Sequence, residues 1–107
     1  MESLYIEATE DTPKINLNGD TGIFLIAERS LPENAFEFYQ PIIRWLNDYT
    51  ENTQDETVVN FKLDYFTTSS AKQIIKIFLC LEEINNSSKV EVNWYYKKED
   101  VDMYAIG

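Results

Sequence analysis

The stretch that most restricts the fold runs from residue 57 to residue 81, where a β-like segment passes into an amphipathic helix through consecutive hydroxyl residues. Thr57-Val58-Val59-Asn60-Phe61-Lys62-Leu63-Asp64-Tyr65-Phe66 is rich in β-branched and aromatic residues and predicts a long strand. Beyond the hydroxyls, Ala71, Ile74, Ile75, Phe78, Leu79 and Leu81 recur at helical spacing. They predict a helix beginning near Ala71 with one wide face packed on a sheet. Lys89 to Tyr96 (KVEVNWYY) alternates as a further strand. Strands joined through a helix pair in parallel by a right-handed crossover, so helices must cover at least one sheet face.

The first half of the chain supplies the remaining elements. Leu4-Tyr5-Ile6 predicts a short strand, and Thr9 to Pro13 a turn. Lys14 to Leu17 alternates, Asn18-Gly19-Asp20 reads as a tight turn, and Gly22 to Ala27 returns, which makes a hairpin. Ser30-Leu31-Pro32-Glu33 has the pattern of a capping box with Pro32 in the first helical turn. Phe38, Ile42, Trp45, Leu46 and Tyr49 then predict a buried helical face, which Pro41 should kink or split. Tyr39 and Trp45 are read as core rather than as a stacking platform for a ligand. Thr50 to Glu56 is a polar linker, Asn85 to Ser88 ends the second helix, and Asp100 to Ile106 starts a last one. The expectation is one α/β domain: a mixed β-sheet with an N-terminal hairpin, and parallel strands linked by amphipathic helices packed on the sheet.

Charge and composition remove whole classes of function. The net charge of −10 opposes nucleic-acid backbones and anionic membrane surfaces, and suits basic surfaces on other proteins. The chain has no histidine, so the commonest general base, the Ser/His and Cys/His nucleophile pairs and most zinc sites are absent. The single Cys80 has no partner for an internal disulfide and fits a reducing compartment. No apolar run approaches a membrane span and no basic segment leads into an apolar core, so a cytoplasmic location is expected. Glu99, Asp100 and Asp102 lack the spacing and turn glycine of a calcium loop, and Gly19 and Gly22 make no phosphate-binding loop. Hence no catalytic, metal or cofactor site is expected. A small carboxylate hydrolase using Asp64, Glu99 or Asp102 stands as the alternative from another class.

The hydroxyl run Thr67-Thr68-Ser69-Ser70 has two readings. In one, Ser70 is the N-cap, with Gln73 completing a capping box, and the others are turn residues. In the other, a hydroxyl here is a phosphoacceptor or partner contact, because a helix start favours added negative charge.

Several segments together resemble a known family. Ile6-Glu7-Ala8-Thr9-Glu10-Asp11-Thr12-Pro13-Lys14-Ile15 is similar to the I-x-A-T-x-x-T-P-x-I opening of the SiaC family of bacterial regulatory phosphoproteins, relatives in architecture of the STAS-like anti-sigma-factor antagonists. Arg29-Ser30-Leu31-Pro32-Glu33-Asn34 resembles its R-S-x-P-E-N. Phe38-Tyr39-Gln40-Pro41 with Trp45-Leu46 resembles its F-Y-x-P-x-x-x-W-L. Tyr65 to Lys72 (YFTTSSAK) resembles its Y-F-N-T-S-S-A-K, with Thr67 where the family usually has Asn. Val92-Asn93-Trp94-Tyr95-Tyr96 and Asp100-Val101-Asp102-Met103 follow in the same order.

The resemblance implies a STAS-like fold and a non-enzymatic switch. By motif position Thr68 is the phosphorylated residue, with Thr67, Ser69, Ser70 and Lys72 on the partner-binding surface. A dedicated protein kinase and a PP2C-like phosphatase set its state, and the unphosphorylated form binds a diguanylate cyclase and promotes cyclic di-GMP synthesis. An anti-sigma-factor antagonist working by the same partner switching is the nearest alternative. Family members continue beyond the glycine that matches Gly107, so the resemblance also implies a single domain, 1–107, lacking the family's C-terminal end.

Overall fold

The computed structural model describes residues 2–95. Its elements are β1 (Leu4–Ile6), β2 (Lys14–Asn18), β3 (Ile23–Ser30), α1 (Ala35–Tyr49), β4 (Glu56–Phe66), α2 (Thr68–Ile84) and β5 (Lys89–Trp94). The expected last helix falls outside the described residues, as do Glu99, Asp100 and Asp102.

The strands form one sheet in the order β1-β2-β3-β4-β5. β1, β2 and β3 are antiparallel neighbours, whereas β3, β4 and β5 pair in parallel. The mixed sheet follows from the connections: short turns join the first three strands, and a helix intervenes each time afterwards. In the β2–β3 turn Asn18 Oδ1 accepts from the backbone N–H groups of Asp20 and Thr21 at 3.0 and 3.1 Å. Gly22 closes that turn at φ +73°, and a Cβ there would run into the Glu56 carbonyl oxygen.

Alternation decides which face is covered. Ile15, Leu17, Phe24, Ile26, Val59, Phe61 and Leu63 are buried beneath the helices. α1 brings Tyr39, Ile42, Leu46 and Tyr49 to this core, and α2 brings Ile74, Ile77, Leu81 and Ile84. Trp45 stacks on Tyr49 at 5.3 Å, and Phe24 meets both rings edge-on. Tyr39 and Tyr49 are fully buried, as a core role requires. On the other sheet face Tyr5, Asn16, Leu25, Asn60 and Asn93 share a row across the strands. There Asn93 Nδ2 donates to Asn60 Oδ1 at 3.1 Å.

Two helix starts differ from the sequence reading. α1 is capped by Asn34, whose Oδ1 accepts from Glu37 N–H at 3.0 Å, and not by Ser30. Ser30 instead ends β3, because the pairing with β4 continues past a register shift at Glu28/Arg29, where Glu28 takes φ +79°. Pro32 therefore lies in the connection, outside the first helical turn. α1 also runs unbroken through Pro41. Pro41 and Glu37, whose carbonyl loses its helical donor, are both exposed, so the lost bond lies on the solvent side of the helix.

The candidate switch site at the start of α2

β4 and α2 are joined through Thr67 alone. Thr67 has extended backbone angles (φ −81°, ψ 166°), and its Oγ1 accepts from Ser70 N–H at 3.1 Å. That is N-cap geometry, and Thr67 holds it where Ser70 was expected to. α2 consequently begins at Thr68, three residues before the predicted start.

Ser70 is turned inward and fully buried. Its Oγ donates to the Ser30 carbonyl oxygen at 3.0 Å and accepts from Ser30 Oγ at 2.8 Å and Thr67 Oγ1 at 3.0 Å. Since Ser30's hydroxyl proton goes to Ser70, the Tyr39 hydroxyl 2.6 Å away donates to Ser30 Oγ. The Ser30 carbonyl also accepts from Thr67 N–H at 3.1 Å. A chain of hydroxyls thus ties α1, the end of β3 and the cap of α2 together. Burial pushes the Tyr39 phenol above its ordinary pKa, against the smaller opposing effect of the Ser30 hydrogen bond, so it stays a neutral donor.

This network sorts the four hydroxyls. Ser70 is inside and is not part of the surface, contrary to expectation, because its hydroxyl satisfies buried partners. Thr67 is half-buried and engaged at both ends of its hydroxyl. Thr68 and Ser69 are exposed, and Lys72 is exposed one turn further on. Thr68 and Ser69 occupy the first two helical positions, whose backbone N–H groups have no acceptor within the helix. The first turn of α2 itself carries no acidic residue to offset the positive end of the helix dipole.

Gln73 is buried rather than reaching back to a cap, and among the described residues its Oε1 has no hydrogen-bond partner. Sequence reasoning missed Ser30 and Tyr39 as members of this network. Their signal was mixed, since one matched a cap pattern and the other matched a core aromatic.

Other chemistry is sparse. Among the described residues no group of His, Cys, Asp and Glu side chains is arranged to hold a metal ion. Asp64 is exposed on β4, and the other acids of the hydrolase alternative lie outside the described residues. Cys80 is buried, its Sγ donates to Asn47 Oδ1 at 3.7 Å, and burial with the nearby Glu83 charge raises the thiol pKa. It is a packed thiol and not an activated nucleophile. No described helix is long and apolar enough to cross a membrane.

Comparison with known proteins shows the family and the fold. Residues 6–107 match the SiaC family of regulatory phosphoproteins. An uncharacterized protein of Pseudomonas aeruginosa strain UCBPP-PA14 is 29% identical over 101 residues, spanning 94% of this chain and 80% of the relative. The crystal structure of apo-SiaC from Pseudomonas aeruginosa superposes with a TM-score of 0.88 at 29% identity, over 99% of this chain and 88% of that one. A crystal structure of the diguanylate cyclase SiaD in complex with its activator SiaC, from the same organism, matches with a TM-score of 0.87 at 27% identity, over 96% of this chain and 85% of that one. The chain belongs to the SiaC family of regulatory phosphoproteins.

Proposed function

We propose that this protein is a non-enzymatic adaptor that binds and activates a diguanylate cyclase when unphosphorylated, and that phosphorylation of Thr68 releases it. A protein kinase and a PP2C-like phosphatase set the state of Thr68, and the protein works in the cytoplasm. The observation that carries this reading is the sorting of hydroxyls at the start of α2. Thr67 and Ser70 are consumed by the cap and the buried network, which leaves Thr68 and Ser69 presented at the first two helical positions, and the family motif selects Thr68 of the two. A phosphothreonine there brings about −1.5 to −2 charges to a site that tolerates them electrostatically. The same charge is strongly hydrated, so covering it with a partner costs desolvation. The family and the activator role of a relative seen with its cyclase support the choice of partner.

The test is intact mass and site mapping after incubation with ATP and the kinase encoded in the same genome. One added phosphate on Thr68, absent from Thr68→Ala and removed by the phosphatase, is the expected result. A phosphate on Thr67 or Ser69, or none on any residue, would overturn the assignment.

A further inference from the structure

A second threonine stands beside the proposed acceptor, and the hydrogen bonds make the two unequal. A hydroxyl that takes a phosphoryl group from ATP forms a bond from its oxygen to the γ-phosphorus. The bond from that phosphorus to ADP breaks, its electron pair leaves with ADP, and the hydroxyl proton passes to a base of the kinase. The oxygen must therefore offer a lone pair along an open approach, with its proton pointing outward.

Thr67 meets neither condition. Ser70 Oγ spends its own proton on the Ser30 carbonyl oxygen at 3.0 Å, so between Thr67 and Ser70 the donor has to be Thr67. That proton points at Ser70 Oγ, which is 3.0 Å away and belongs to a fully buried residue. A lone pair of Thr67 Oγ1 is taken by Ser70 N–H at 3.1 Å. The backbone of Thr67 is pinned as well, since its N–H donates to the Ser30 carbonyl at 3.1 Å and its carbonyl accepts from Ala71 N–H at 2.9 Å. Presenting the hydroxyl means rotating the side chain and giving up both bonds to Ser70 at once. Thr68, one residue on, is exposed.

We infer that Ser70 is a specificity-determining residue for the modification: by accepting the Thr67 proton it keeps the phosphate off Thr67. The inference rests on the adaptor reading, which supplies the kinase and ATP. A phosphate on Thr67 would also cost the bond to Ser70 Oγ, because an ester oxygen has no proton to donate.

Ser30 makes the assignment specific to one side chain. Ser70 is oriented by the carbonyl of Ser30, a backbone group, whereas Ser30 Oγ donates to Ser70 at 2.8 Å. Ser30→Ala therefore removes a buried hydroxyl of the same network and leaves the direction of the Thr67 proton unchanged. Ser70→Ala removes the acceptor itself.

The test is site-mapped phosphate uptake from ATP with the kinase encoded in the same genome, in a Thr68→Ala background. Thr68→Ala alone is expected to carry no phosphate on Thr67. Adding Ser70→Ala should raise uptake on Thr67 at least about tenfold over that background, as release of a buried hydrogen bond allows. Adding Thr67→Asn as well, which keeps a cap and carries no hydroxyl, should abolish it. Adding Ser30→Ala in place of Ser70→Ala should leave Thr67 unmodified. Thermal melts establish that each chain is folded, and Ser70→Cys, a weak acceptor, replaces Ser70→Ala if the latter does not fold. Phosphate on Thr67 in Thr68→Ala alone, equal uptake with Ser70→Ala and Ser30→Ala, or no gain with Ser70→Ala would overturn the inference and leave the adaptor reading. Loss of the Thr68 phosphate from Ser70→Ala with Thr68 intact would overturn it too, by making Ser70 necessary for recognition by the kinase. Absence of phosphate from the wild-type chain would overturn both.

Discussion

Replacing Thr67 by alanine separates the role of the cap from that of the presented hydroxyl. Thr67 Oγ1 accepts from Ser70 N–H at 3.1 Å and donates to the buried Ser70 Oγ at 3.0 Å. Loss of an N-cap hydroxyl costs about 1 kcal/mol in typical cases. The second bond adds less than a full hydrogen bond, because Ser70 Oγ still accepts from Ser30 Oγ and still donates to the Ser30 carbonyl. The expected total is about 1–2 kcal/mol, which lowers Tm by about 4–8 °C for each kcal/mol in a domain of this size. Thr67→Ser keeps the acceptor and should recover most of the loss. Thr68→Ala removes an exposed hydroxyl and should change stability by no more than about 0.5 kcal/mol. The assay is urea or thermal unfolding of the wild type and the three variants, followed by circular dichroism. A Thr68→Ala loss equal to or larger than that of Thr67→Ala would refute the reasoning, since the cap would then sit one residue later and Thr68 would not be free for modification.

Four other outcomes follow from the same geometry. Tyr39→Phe removes the outer donor of the hydroxyl chain while keeping the packed ring, and should cost about 0.5–1.5 kcal/mol in denaturant melts. Because burial raises the Tyr39 pKa above its unfolded value of about 10, the stability tied to its neutral form is complete below that pH and is lost as pH rises through the folded pKa. Tyr39→Phe should therefore flatten the alkaline end of the stability profile, and an unchanged profile would count against a buried phenol. Gln73→Leu removes a buried oxygen that has no partner among the described residues, so thermal melts should show a neutral or slightly stabilising change. Gly22→Ala, with φ +73° and the Glu56 carbonyl in the way, should destabilise by more than about 1 kcal/mol in the same melts.

The hairpin and the mixed sheet were legible because their signals are periodic. Lys14 to Leu17 alternates, and the sequence order of strands and helices leaves little choice of pairing. The start of α2 was not legible to the residue. Four hydroxyls in a row offer four chemically similar caps, and the choice of Thr67 depends on Ser30 and Tyr39, which are distant in sequence. The Ser30 pattern misled for a related reason. It fits a capping box locally, but strand pairing with β4 carries β3 through Ser30 and moves the helix start to Asn34.

The apolar stripe of α2 was read too wide. Ile75 and Leu79 belong to it by spacing yet face outward, while Ile77 and Ile84 fill the core. Helical spacing alone does not say which apolar positions face the core, and that choice is set by the packing of α2 against both the sheet and α1. Ser70, expected at the surface, is buried for the converse reason, since a small hydroxyl can satisfy the strand end beneath the helix.

The central claim is that one phosphate on Thr68 decides whether the partner is bound. The most direct measurement is calorimetric titration of the diguanylate cyclase from the same genome with two forms of this chain, unphosphorylated and stoichiometrically phosphorylated on Thr68, with cyclic di-GMP synthesis followed in parallel. The account predicts saturable binding and stimulated synthesis with the unphosphorylated form, and at least about a hundredfold weaker binding with the phosphorylated form, equivalent to about 3 kcal/mol. Equal affinity of the two forms, or stimulation by the phosphorylated form alone, would contradict it.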